Sequence, residues 1–386
     1  MLNADVEVDR RDFTVRARLS VPPGEKVALF GPSGAGKTTV LEAVAGLVRP
    51  RCGRIELNGR VLTSTAAPVT EVPPWRRRVG LLRQDPGLFP HLPVRANLLY
   101  ARSASAGPEL DALARELGIE ELLAAMPARL SGGQRHRVAL GRLLLAHCDA
   151  LLLDEPFAGL DLSLRRSLTA LVANLATERA LPTLLVTHDL ADAQAFADRL
   201  AVIERGAVLQ EGTPSAVVLR PASRQVASLV GYLGFVPVPG DPGPGGSSEV
   251  GGAGVADGSD GAGVAGRSGR ASDSGVVAGV HPDRVVAGEH PELGLVVTGT
   301  VTAARPSGAS WEVDVMRGGG AAFTCRLPSH PETGTIALTL LSPPLFAPDG
   351  TALDAPVVDV PRAETPAPPG APAFPATTTF ARQRED

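Results

Sequence analysis

An α/β layer fold with a mainly parallel sheet is predicted for residues 1–235, with a small β-barrel over residues 276–345. Short apolar runs alternate with helix-length segments through the first region, among them Val27–Phe30, Val79–Leu82, Ala150–Leu153 and Thr183–Val186. Runs of that length, apolar on both faces, are what strands buried between helical layers require, and each reads as a central strand. The first run empties into Gly31-Pro32-Ser33-Gly34-Ala35-Gly36-Lys37-Thr38-Thr39, a glycine-rich turn opening a helix. The barrel rests on β-like runs at Leu295–Val301, Trp311–Val315, Ala321–Leu327 and Thr335–Leu341, separated by Gly, Pro and Ser turns.

The glycine-rich turn carries the chemistry. Its spacing, GxxxxGK[ST], is a phosphate cradle: the backbone N–H groups of Gly34 to Thr39 point inward, and a helix N-terminus adds partial positive charge. The chain has two lysines, Lys26 and Lys37; every other basic side chain is arginine or histidine. Lys37 keeps its ammonium against that bias because a point charge on a thin stem lies along a polyphosphate where a planar guanidinium is too wide. The Thr38 hydroxyl is placed to reach Mg²⁺. The helix is expected over Thr38–Leu47, with Leu41, Val44 and Ala45 inward.

Further along, Glu109–Met126 spaces Leu110, Leu113, Leu117, Leu122 and Leu123 as one face of a helix, the core of a helical subdomain. Residues 236–275 are rich in Pro, Gly, Ser and Ala and read as a flexible linker, while residues 346–386 read as a disordered Pro/Ala-rich tail. A net charge of −4 with dispersed arginines argues against a nucleic-acid partner; the run Arg76-Arg77-Arg78 reads as a solvated loop. Met1–Asp5 lacks the charged and apolar regions of a secretory signal, and no apolar run approaches a bilayer span. Cys52, Cys148 and Cys325 are odd in number and far apart, against a disulfide framework or zinc site and in favour of a reducing cytosol.

Four motifs follow the loop in order. Gln84 comes just past the strand ending at Leu82, where its carbonyl can reach Mg²⁺ or an attacking water; alone, it would read as a surface glutamine. Leu130-Ser131-Gly132-Gly133-Gln134 puts a capping serine and two glycines at the start of a helix running towards Ala146. Ala150–Pro156 is an apolar strand ending in adjacent carboxylates: Asp154 suits a water-mediated Mg²⁺ contact, and Glu155 suits acceptance of a proton from a hydrolytic water. His188 follows the strand ending at Val186, at the sheet edge where ligands collect, and can touch a γ-phosphate.

Taken together, these residues resemble the ATP-binding subunits of ABC transporters over residues 1 to about 235, with Leu130–Gln134 similar to the family signature and Gly159-Leu160-Asp161 similar to its D-loop. The usual serine of that loop is replaced by Ala158, and His136 stands where a glutamine is common. Phe13 is the one nearby candidate for the family's adenine-stacking aromatic, unless it lies in the following strand. Within the family, Arg78–His91, Val94–Tyr100 and Leu57–Leu62 look like the molybdate importer ATPase, in which a barrel of the TOBE or molybdate-binding type follows the ATPase.

The resemblance implies two copies facing head to tail, Ser131 and Gly133 of one completing the γ-phosphate site of the other, with Gln134 and Asp161 at the same interface. It implies a transmembrane permease docked near Gln84–Tyr100 at the cytoplasmic face of the membrane, and indirectly an extracytoplasmic solute-binding protein. An oxyanion at the barrel would report internal supply. Importers of sulfate, iron, polyamines or sugars carry similar barrels and stay open as alternatives. So do a non-transport ABC ATPase of translation or repair, which would usually have two cassettes or an insertion, and a purely regulatory oxyanion-binding protein, against which Asp154, Glu155 and His188 speak.

Overall fold

A computed structural model describes residues 1–100, 107–237, 277–290, 294–317, 320–331, 334–341 and 343–353. Most of the linker and most of the tail expected from composition lie outside these residues.

The chain opens with two strands of alternating burial, β1 (Leu2–Asp9) and β2 (Thr14–Val21), which turn Leu2, Ala4, Val6 and Val8 inward. β3 (Lys26–Phe30) is buried along its whole length and runs through the phosphate loop into α1 (Lys37–Ala45). The helix begins one residue earlier than expected and ends two residues sooner. Gly36 caps its start, and Gly46, at φ 81°, ends it by donating its N–H back to Ala43. Next come β4 (Cys52–Leu57), β5 (Arg60–Ser64), β6 (Thr70–Glu71) and β7 (Val79–Leu82).

A helical subdomain follows, with α2 (Val94–Leu99), α3 (Gly107–Glu116) and α4 (Gly132–Leu145). The expected helix over Glu109–Met126 is cut in two, because Gly118 adopts φ 60° and a 3₁₀ turn takes over at Glu120–Leu122. Leu110, Leu113 and Leu117 are buried, while Leu122 and Leu123 pack half-buried against the same core.

The remaining elements of the N-terminal region are β8 (Ala150–Asp154), α5 (Leu162–Glu178), β9 (Thr183–Thr187), α6 (Leu190–Phe196), β10 (Arg199–Glu204), β11 (Ala207–Gly212), α7 (Pro214–Leu219) and α8 (Arg224–Leu229). One eleven-stranded mixed sheet has the order β6-β5-β4-β1-β2-β11-β10-β3-β9-β8-β7. Its parallel part is the run β10-β3-β9-β8-β7; an antiparallel arm of β1, β2, β4, β5 and β6 extends it. β7 is an edge strand rather than a central one, pairing with β8 alone, and its half-buried Val79 and Leu81 reflect that place. One hydrophobic core lies between the parallel strands and the helical subdomain; a second lies between α1 and the antiparallel arm.

The C-terminal module consists of β12 (Gly234–Pro237), β13 (Val277–Val280), β14 (Val285–Ala287), β15 (Gly294–Ser307), β16 (Ser310–Met316), β17 (Ala322–Leu327), β18 (Thr335–Leu341), β19 (Leu345–Phe346) and β20 (Ala352–Leu353). A curled five-stranded antiparallel sheet, β14-β18-β15-β16-β17, and the four-stranded β12-β13-β19-β20 close on a shared core of Val236, Val280, Val297, Val313, Phe323 and Leu338. β12 begins at Gly234, so the chain leaving the N-terminal region supplies a strand of this module and crosses the expected boundary at residue 235. The module also folds back on α8: the Arg224 N–H donates to Gly350 O at 2.9 Å, and the Arg224 guanidinium lies 5.0 Å from the Phe235 ring centre. All three cysteines are free thiols.

Candidate active site

The parallel register places the ends of β3, β9, β8 and β7 along one edge of the sheet, and the chemistry-bearing residues follow those ends. At the end of β3 the loop turns tightly. Gly36 sits at φ 100°, where a Cβ would stand 2.7 Å from Val15 Cγ2 and 3.4 Å from the Phe13 ring, so only glycine fits. No side chain caps the start of α1. Pro32, Ser33 and Gly34 are exposed on the loop's outer rim, whereas Gly31 and Ala35 are buried and anchor it.

Lys37 is 6% exposed, and its ammonium donates to Gly31 O at 2.8 Å and Pro32 O at 2.9 Å. These carbonyls hold the lysine across its own loop. Burial lowers its pKa below the usual lysine range, while the carboxylates of Glu155 and Asp154 act against that shift. Next to it, Thr38 Oγ1 donates to Asp154 Oδ2 at 2.9 Å. Asp154 is 6% exposed; burial raises its pKa, the Thr38 hydrogen bond opposes this, and the Glu155 charge adds to the rise.

Glu155 adopts φ 50°, a left-handed conformation that costs a non-glycine residue about 1 kcal/mol. Its N–H is held by Val186 O at 2.9 Å, and the strained backbone turns the carboxylate towards two partners. His188 Nδ1 lies 2.7 Å from Oε1, and Gln84 Nε2 donates to Oε2 at 3.5 Å. Gln84, Glu155 and His188, predicted separately from three strand ends, therefore converge on one carboxylate.

Ser131, Gly132, Gly133 and Gln134 form a different feature. The Ser131 hydroxyl accepts from the Gln134 N–H at 3.2 Å, and the Gln134 side-chain carbonyl accepts from the Ser131 N–H at 2.8 Å, a complete capping box at the start of α4. Gly133 faces the neighbouring turn, its missing Cβ 3.8 Å from Leu160 and 4.0 Å from Gly159 O. Asp161 caps α5 by accepting from the Leu164 N–H at 2.9 Å. None of these five residues lines the cleft at the phosphate loop, which measures about 230 Å³ and is walled by Arg10, Phe13 and loop residues from Gly34 to Thr39.

Phe13 precedes β2 and is not part of it, and its ring faces the loop. Two arginines at the site went unread in the sequence. Arg10 Nε donates to Thr39 Oγ1 at 2.8 Å, and Arg165 Nη1 pairs with Asp189 Oδ2 at 3.0 Å, bracing the residue that follows His188. Both contacts join segments far apart in sequence, and no local spacing announces them. For Arg10, its position three residues ahead of the aromatic candidate was the available signal.

Residues 15–158 match the family described as ABC transporter. These residues form an ABC transporter domain. The chain is similar to the Fe(3+) ions import ATP-binding protein FbpC of Pseudomonas fluorescens, at 42% identity over 57% of this chain and 62% of that protein. It is also similar to the molybdenum import ATP-binding proteins ModC of Mesorhizobium japonicum, at 41% identity over 57% of this chain and 60% of that one, and of Escherichia coli, at 46% over 49% and 53%. The chain thus spans 53–62% of the length of these three relatives. Among solved structures, one titled as the ATP binding subunit of an ABC transporter superposes with a TM-score of 0.50 at 28% identity, over 60% of this chain and 94% of that one. Lys37, Gln84, Ser131, Asp154, Glu155 and His188 are the motif residues that this chain brings to its sheet edge and to the adjoining helix starts. Among the described residues, no helix is long and apolar enough to cross a membrane.

Proposed function

We propose that this chain is the ATP-hydrolysing subunit of an ABC importer, working as a pair of copies beneath permease subunits at the cytoplasmic face of the membrane. The observation that carries the proposal is the convergence of Gln84 and His188 on Glu155, with Lys37 in the field of the same carboxylate. ATP lies with its phosphates along Gly31–Thr39, bound by the uncapped N–H groups of α1 and by the Lys37 ammonium, for which phosphate oxygens replace Gly31 O and Pro32 O as acceptors. Glu155 accepts a proton from the water that attacks the γ-phosphorus, and His188 and Gln84 hold that water and the departing phosphoryl oxygens in line.

The donor set fits Mg²⁺: the Thr38 hydroxyl and the Asp154 carboxylate already meet at 2.9 Å, and Gln84 adds a carbonyl, all hard oxygen ligands. When bound with ATP, the ion supplies charge neutralisation across the β- and γ-phosphates. Ser131, Gly133 and Asp161, lying outside the cleft, act across the pair: each copy presents them to the phosphates held by the other. Hydrolysis removes those contacts, the pair opens, and the docked permease changes orientation.

Molybdate or a related oxyanion is the proposed cargo, supported by the molybdenum importers among the relatives. The iron importer of comparable identity supports the second reading, an iron-importing ATPase. In either case the solute-binding protein and permease select the solute, and the C-terminal barrel takes an oxyanion that reports internal supply. Phosphate release by the full chain tests the enzymatic part. Wild type is expected to hydrolyse ATP, and Glu155→Gln to fall about 10³-fold while still binding ATP. A glutamine variant with wild-type turnover would remove Glu155 as the base.

A further inference from the structure

Two cations wall the cleft at the phosphate loop, and only one has a role so far. Lys37 belongs to the reacting end, in the field of Asp154 and Glu155. Arg10 stands at the other end, on the turn that carries Phe13; its N–H donates to Phe13 O at 2.9 Å and fixes the turn. From there it reaches α1, where Nε donates to Thr39 Oγ1 at 2.8 Å and Nη2 pairs with Glu42 Oε2 at 3.1 Å. Thr39 closes the loop one residue beyond Thr38, whose hydroxyl meets Asp154. Phosphates laid along the loop from the Lys37 and Asp154 end towards Phe13 bring the phosphate nearest the sugar between Thr39 and Arg10.

We propose that Arg10 is a nucleotide-binding residue that contacts the α-phosphate, exchanging Glu42 for a phosphate oxygen when ATP or ADP binds. The proposal rests on the ATP reading of the loop. The exchange is easy on both sides. The Arg10–Glu42 pair is partly exposed, a setting in which ion pairs are weak, while a guanidinium meets phosphate through two parallel N–H bonds. Glu42 is not left alone by the exchange, because Arg83 Nη2 stands 3.5 Å from its other oxygen. Arg83 adjoins Gln84, so the release of Glu42 from Arg10 strengthens a contact beside the hydrolytic site.

The test is a calorimetric titration of the full chain with ATP and with ADP, each with Mg²⁺. Arg10→Ala is expected to weaken both nucleotides by the same factor, about 10-fold, because both carry an α-phosphate. That loss shrinks as salt is raised. Glu42→Gln frees Arg10 and leaves affinity at or above wild type; if Arg10 merely ties its turn to α1, Glu42→Gln weakens binding as Arg10→Ala does. Unchanged affinity in Arg10→Ala, a loss confined to ATP, or a parallel loss in Glu42→Gln overturns the assignment. A wild-type chain that binds neither nucleotide, with Lys37→Ala indistinguishable from it, removes the ATP reading and the Arg10 contact together.

Discussion

The two glycine-rich helix starts of the N-terminal region, at Gly36 and at Ser131, are built in opposite ways. α1 opens on a left-handed glycine with no side chain bonded to its first amides, whereas α4 opens on a serine locked with Gln134 in a reciprocal capping box. Their far ends are alike. The Arg77 guanidinium donates to Ala43 O at 3.2 Å and Val44 O at 3.0 Å at the end of α1, and Arg179 Nη1 donates to Leu144 O at 2.7 Å at the end of α4. Both helices are therefore anchored by arginine at the carbonyl end, where positive charge is favourable, and only α4 has a side chain bonded at its N-terminal end. The contrast separates a helix start with no side-chain cap from one held by a reciprocal cap. Ser131 still offers its hydroxyl proton, the group a partner copy can present to phosphate.

Arg77 is the most consequential residue in that comparison. Its side chain is fully buried, with Thr63 Oγ1 at 2.8 Å, Glu71 Oε1 at 2.5 Å and Val72 O at 2.7 Å as further acceptors, so the segment expected to be a solvated arginine loop holds a buried charge at its centre. Burial lowers the Arg77 pKa, opposed by Glu71. Arg77→Met is expected to cost about 3 kcal/mol in urea unfolding of the nucleotide-free chain, because it leaves the buried α1 carbonyls of Ala43 and Val44 without their guanidinium donor. Gly46→Ala should reproduce part of the loss, since its Cβ would stand 2.3 Å from Arg77 Nε at a φ of 81°. Unchanged stability in both would mean that α1 is anchored elsewhere.

Ser131→Ala sharpens the other side. Loss of the cap is expected to cost about 1 kcal/mol without nucleotide, a smaller effect seen as a lowered unfolding midpoint. A variant as stable as wild type would show that α4 draws nothing from its capping box.

Much of the candidate site's placement was legible because its signals are local. Lys37, Asp154, Glu155 and His188 each follow a buried apolar run within a few residues, and a parallel sheet brings such run ends together whatever the strand order. Arg10 and Arg77 were not legible as site and anchor residues, because their partners on α1 lie 29 to 34 positions away and depend on how the turns fold over that helix. β7 read as central from its apolar residues, yet edge or centre is set by strand order, which composition does not carry. The antiparallel arm had a signal that went unused: Leu2, Ala4, Val6 and Val8 alternate at period two and are all buried. Gly118 likewise offered a stop within the α3 pattern, where leucine spacing alone favoured continuation.

Hydrogen exchange of the full-length Glu155→Gln chain, kept dilute enough that copies do not pair, tests the contrast most directly. On addition of ATP and Mg²⁺, the amides of Gly34 to Thr39 are expected to slow by about 10-fold or more, and the amides of Ser131 and Gln134, already bonded to each other's side chains, to keep their rates. Equal slowing at both helix starts, or none at the loop, would contradict the account.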